Sequence, residues 1–154
     1  MFTAGEILGM AVQIEENGQR FYREASENAA KSELRDLWQW LADEEAEHKS
    51  IFLAIKSSAG KAGDHQHWAA QMGEEILQSL VKDRGFSLEE VQFSSVREER
   101  ELIEIGLQLE EDSIQFYEIL LSFIDDPDTV GHVNKILSEE REHVRLLKQR
   151  LASC

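Results

Sequence analysis

The chain has 154 residues, of which 42% are hydrophobic and 31% charged, and its formal net charge is −15. That length makes one domain, residues 1–154, with enough chain for a buried core. A surface this acidic repels phosphate backbones and anionic membranes, which argues against nucleic acid or a membrane as partner.

With one proline and nine glycines, long uninterrupted helices are expected. No apolar run approaches the ~20 residues of a spanning helix. The first residues lack the basic start of a signal peptide. The one cysteine, Cys154, can neither staple the fold nor build a cysteine-rich metal site, which fits a reducing cytoplasm.

Four stretches carry helical periodicity, expected at about 3–30, 32–58, 95–124 and 127–151. The first opens with Thr3 and Glu6 placed as a capping box. Its stripe reads Ile7 or Leu8, Ala11, Glu15, Gly18, Tyr22, Ala25 and Ala29. The second carries Leu34, Leu37 or Trp38, Leu41, Glu45, His48, Phe52 and Ile55, with Gly60 placed as a stop beyond its end. The third carries Leu102, Gly106, Leu109 or Glu110, Ser113, Tyr117, Leu120 or Leu121, and Ile124. Asp126-Pro127 opens the fourth as cap and first helical residue, followed by Val133, Ile136 or Leu137, Glu140, His143 or Val144, and Leu147. Residues 60–94 read as a long crossover containing a shorter helix. His65 and His67 in it read as surface residues, and Trp38, Trp40 and Trp68 as markers of a core or a subunit interface.

An internal repeat organises these elements. IEENGQRFY (Ile14 to Tyr22) matches LEEDSIQFY (Leu109 to Tyr117), and DEEAEH (Asp43 to His48) matches SEEREH (Ser138 to His143). The offset is constant: 110 − 15, 117 − 22, 140 − 45 and 143 − 48 all equal 95. Within each half the two glutamates lie 30 residues apart (45 − 15, 140 − 110), and the midpoints fall at the turn signals near residues 30 and 125. Folding at the midpoint puts Glu15 opposite Glu45 and Glu110 opposite Glu140, each roughly 20 Å from its turn at ~1.5 Å per residue. His48 and His143 follow their glutamates by three residues and share their face. Glu44, Glu47, Glu139 and Glu142 fall on other faces and are expected in solvent.

Four carboxylates buried together cost several kcal/mol each when ionised and unpaired. Two divalent cations would neutralise them, with imidazoles completing the ligand set. Oxygen and imidazole donors suit iron, manganese or a mixed pair better than tetrahedral zinc. A Glu on two helices with Glu-x-x-His on two others is the stated pattern of ferritin-like di-metal bundles. The expected architecture is therefore all-α: an antiparallel, ferritin-like four-helix bundle of two hairpins joined by a long crossover. Its metal ligands are Glu15, Glu45, His48, Glu110, Glu140 and His143.

The same strings resemble the rubrerythrin branch of the ferritin-like superfamily over nearly the whole chain. The resemblance implies that Glu45 and Glu140 bridge two irons, that Glu15 with His48 completes one, and that Glu110 with His143 completes the other. It implies that Tyr22 and Tyr117 orient a carboxylate or supply a proton. Classical members append a four-cysteine rubredoxin domain, absent from these residues, so electrons for reducing hydrogen peroxide or oxygen would come from a separate donor protein. Ser113 stands where the family carries an extra carboxylate, and Gly18 is its repeat mate. The six-ligand set is closer to a bacterioferritin centre, but Ala46 replaces that group's haem-binding Met, so no haem is expected. A homodimeric diiron oxidoreductase is the leading expectation. A ferroxidase or iron-storage protein is the alternative, and a metal-free helical interaction module the second.

Overall fold

The computed structural model describes residues 4–61, 98–122 and 124–154. Four helices make up these residues, with no strand among them: α1 Ala4–Asn28, α2 Ser32–Lys61, α3 Glu99–Leu121 and α4 Pro127–Ala152. Most of the crossover, with His65, His67 and Trp68, and the Thr3 cap lie outside the described residues.

Each helix buries the stripe its sequence marks out, although at α3 Ile103 takes the fully buried place and Leu102 the half-buried one. Asp126 caps α4 as its position requires. The carboxylate accepts from Thr129 N at 3.0 Å and from Thr129 Oγ1 at 2.7 Å, and Pro127 follows in the first turn. The α1–α2 turn is closed by Ser26 Oγ donating to the Arg35 carbonyl at 2.9 Å. One expected boundary is overturned: Gly60 does not stop α2, which runs through it to Lys61. A single glycine costs a helix about 1 kcal/mol, too little to end one whose buried stripe reaches the preceding turn. Elsewhere the boundaries also shift by a few residues: α1 ends at Asn28, and α3 runs from Glu99 to Leu121.

In the bundle α1 packs on α2 and α3, and α4 packs on α3 and α2, so helices related by the repeat are neighbours. The apolar core divides in two. One cluster joins Ile7, Leu8, Ala11 and Ile14 of α1 to Phe52 and Ile55 of α2, Phe116, Tyr117 and Leu120 of α3, and Val133, Ile136 and Leu137 of α4. The other joins Tyr22 and Ala25 to Leu34, Trp38, Leu41 and Ala42, Ile103 and Leu147. The first gathers the start of α1 with the end of α2, and the second the reverse, so they occupy opposite ends of the bundle. Between them lies a polar layer.

Trp38 anchors the second end. Its buried ring stacks on Tyr22 at 5.7 Å and meets Phe21 edge-on at 6.2 Å. Truncating a buried aromatic removes its transfer energy and leaves a cavity. Trp38→Ala is expected to lower the unfolding free energy by about 3–5 kcal/mol, measured by denaturant titration.

Candidate metal centre

The polar layer holds all six residues marked by the repeat, and all six are buried: Glu15, Glu45, His48, Glu110, Glu140 and His143. They form two overlapping sets. Glu15, Glu45, His48 and Glu140 each offer an atom within 4.8 Å of the others, and so do Glu45, Glu110, Glu140 and His143. Glu45 and Glu140 belong to both sets, the position of a pair of shared carboxylates.

Each histidine turns Nδ1 inward. His48 Nδ1 lies 2.7 Å from Glu140 Oε1 and 3.6 Å from Glu15 Oε2. His143 Nδ1 lies 3.5 Å from both Glu45 Oε1 and Glu110 Oε1. These approaches lack hydrogen-bond alignment. Among the described residues, eight buried side-chain polar atoms have no hydrogen-bond partner, and all eight belong to these six residues. Native interiors rarely leave such atoms unsatisfied. Convergent lone pairs without donors are what a cation would satisfy, so the donor set fits a pair of divalent ions.

The surrounding contacts cross between the hairpins. Tyr22 of α1 donates to Glu110 Oε1 of α3 at 2.7 Å, and Tyr117 of α3 donates to Glu15 Oε1 of α1 at 2.7 Å. His48 Nε2 on α2 lies 2.9 Å from Glu139 Oε2 on α4. His143 Nε2 on α4 lies 3.6 Å from Glu44 Oε1 on α2. Glu139 and Glu44 correct the expectation that the acids beside the motif stand in solvent. Both are half-buried, while Glu47 and Glu142 are exposed. The repeat itself carried the signal, since 139 − 44 is again 95. Periodicity assigned these residues to another face, but a glutamate at the edge of a stripe is long enough to reach the ring nitrogen.

Gly18 has a spatial reason. A Cβ there would lie 3.3 Å from Glu45 Oε2, so the missing side chain makes room for a carboxylate. Its repeat mate Ser113 turns its hydroxyl to the Leu109 carbonyl at 2.9 Å. Trp40 is 42% exposed and sets its ring perpendicular to that of His143, with centroids 5.3 Å apart.

The chain matches the rubrerythrin family model over residues 6–151. It belongs to the rubrerythrin family. A Thermotoga maritima protein, provisionally described as a ferritin-like diiron-carboxylate protein, shares 26% identity and a TM-score of 0.72, covering 98% of this chain and 95% of its own. A hypothetical protein from Pyrococcus furiosus, at 21% identity, shares the fold with a TM-score of 0.72, covering 98% of this chain and 89% of its own. No match was found among curated proteins.

Without cations the layer must hold protons. Burial, then the charges of neighbouring carboxylates, pushes Glu45 and Glu140 well above the usual carboxylate range. Burial opposes charge on His48, but Glu140 and Glu15 outweigh it and push the imidazole up to about 12. Burial would likewise raise Glu110, yet Glu140 and His143 hold it down at about 2. Burial and the adjacent carboxylates raise Tyr22 and Tyr117, which keeps both phenols protonated as donors.

The sign of the pH dependence follows. The stability linked to the raised Glu45 and Glu140 is complete below about 4.5, their unfolded value, and is lost as pH rises toward their folded values. The part linked to His48 is complete below 6.5 and is lost as pH rises through about 12. Glu110 contributes above 4.5 and loses its part as pH falls toward 2. Metal-free protein is therefore expected to lose thermal stability from pH 5.5 to pH 8, by about 1 kcal/mol per pH unit for each proton the fold retains. Divalent-loaded protein should not show this slope. Melting curves at matched ionic strength check it.

Proposed function

We propose that the chain is a non-haem diiron oxidoreductase that reduces hydrogen peroxide or oxygen with electrons from a separate donor. The observation that carries the reading is the pair of four-residue ligand sets sharing Glu45 and Glu140 in a layer enclosed by two apolar clusters. When bound there, a pair of irons supplies the two electrons and the Lewis acidity that breaking an O–O bond requires.

The protein supplies position, protons and exclusion of water. Glu45 and Glu140 would be common to both metal positions, with Glu15 and His48 serving one and Glu110 and His143 the other. The Tyr22 and Tyr117 hydroxyls hold Glu110 and Glu15 by one oxygen each, which orients those carboxylates and places a proton donor beside each half. The apolar clusters close both ends of the layer. The half-exposed Glu44 and Glu139 then offer a lateral route for protons from solvent to the ring nitrogens. The single cysteine within these 154 residues cannot form a four-cysteine redox site.

Ser113 favours a second reading, a ferroxidase in which ferrous iron is the substrate. Its hydroxyl turns to the Leu109 carbonyl at the place of the family's additional carboxylate, which leaves six ligands.

Anaerobic loading with excess ferrous salt is expected to leave two irons per chain on a small oligomer. One hydrogen peroxide should then oxidise two ferrous ions, and Glu45→Ala or Glu140→Ala should abolish both uptake and oxidation. Tyr22→Phe should retain iron and slow oxidation by about 10–100-fold, followed by stopped-flow absorbance. A large mineral load on a cage would favour the ferroxidase, and no retained iron would overturn both readings.

A further inference from the structure

The two halves of the centre depart from their repeat at both histidines: His48 Nδ1 lies 2.7 Å from Glu140 Oε1 where its mate His143 Nδ1 lies 3.5 Å from Glu45 Oε1, and the outer nitrogens differ as well. His48 Nε2 lies 2.9 Å from Glu139 Oε2, a hydrogen-bond distance. In the mate contact His143 Nε2 lies 3.6 Å from Glu44 Oε1, and this buried nitrogen has no hydrogen-bond partner. The tyrosines do not share the asymmetry, since both donate at 2.7 Å.

The neighbours of the two acids differ in kind. Lys135 approaches Glu139 Oε1 at 3.9 Å, one turn earlier on α4. Its repeat mate is Trp40 (135 − 40 = 95), so the place corresponding to a cation beside Glu139 holds an indole beside Glu44. That indole meets His143 rather than the acid.

The Glu139 carboxylate engages His48 through Nε2, which leaves Nδ1, the nitrogen facing the carboxylate layer, as the one a metal would take. Such an outer carboxylate also fixes the ring plane and makes the imidazole a stronger donor to a metal. His143 lacks that hold, and its tautomer is not fixed by a partner.

Building on the two-metal reading, we propose that the two metal positions are unequal. The Glu15–His48 position fills first and binds tighter because Glu139 preorganises His48, and the Glu110–His143 position is the exchangeable one. Glu139 is a positioning residue that acts through His48.

Calorimetric titration of metal-free full-length protein with Co²⁺ tests this without reference to activity. Two binding steps differing at least tenfold in affinity are expected. His143→Ala should remove the weaker step and keep the tighter, and His48→Ala should remove the tighter. Glu139→Ala should weaken the tighter step by about 10–100-fold, and Glu139→Gln should recover part of the loss. Two equal steps, a tighter step that survives His48→Ala, or a Glu139→Ala protein that titrates as wild type would each overturn the inequality while leaving two-metal binding intact. Absence of binding would overturn the two-metal reading itself. Should a histidine variant fail to fold, by circular dichroism, Glu139→Ala still decides, because its half-exposed position tolerates truncation.

Discussion

Four carboxylates in one cross-section of the bundle set the terms for everything around them. Left ionised and unpaired, each would cost several kcal/mol, and the surrounding residues limit that cost in three ways. Two phenols donate to the outer pair, Glu110 and Glu15. Two imidazoles sit among the four as groups able to carry charge. Apolar clusters at both ends account for most of the folding energy that the layer draws on. A buried ion cluster of this kind is weak evidence for stability, and hydrophobic replacements of similar volume are often neutral or stabilising. The layer is therefore better understood as a polar set that the fold supports than as an element that supports the fold.

The support comes from pairing across the hairpins. Every oriented contact to a ligand, from Tyr22, Tyr117 and Glu139, comes from the hairpin that does not carry the ligand. Neither hairpin can complete its half of the centre alone. Docking of the two hairpins and assembly of the layer are thus one event, and any metal the layer binds would be linked to folding. The crosswise scheme also explains why α1 lies beside α3 and α2 beside α4. A phenol seven residues beyond a glutamate lies two turns along the same face, too far to bond its own helix's carboxylate. On the antiparallel neighbour, Tyr22 comes level with Glu110.

Much of this was legible because the repeat offset of 95 does not depend on secondary-structure propensity. Glu15, Glu45, Glu110, Glu140 and the two histidines stood out as polar residues at core positions, and burial finds them there. What periodicity could not supply was partnership. It ranks residues by face, so Glu44 and Glu139 were assigned to solvent although their side chains curl back to the rings. Nor could it distinguish Glu139 from Glu44, because both are glutamates on the same offset. The neighbours that differ, Lys135 and Trp40, lie outside the matching strings. Gly60 shows the opposite error, a strong local stop signal overridden by a helix whose stripe continues to Ile55.

The small residues at 18 and 113 illustrate how a repeat can keep its ligands and still divide its roles. At Gly18 a methyl group would sit 3.3 Å from Glu45 Oε2, closer than an ordinary contact, so the shared carboxylate occupies space that any larger residue would take. At Ser113 a side chain is tolerated, but its hydroxyl is satisfied within its own helix by Leu109. Neither position adds a carboxylate to the four in the layer. Because the carboxylate already fills that space, a side chain at 18 would push Glu45 from its place. A side chain at 18 would therefore displace a carboxylate common to both sets, whereas the hydroxyl at 113 is engaged within its own helix.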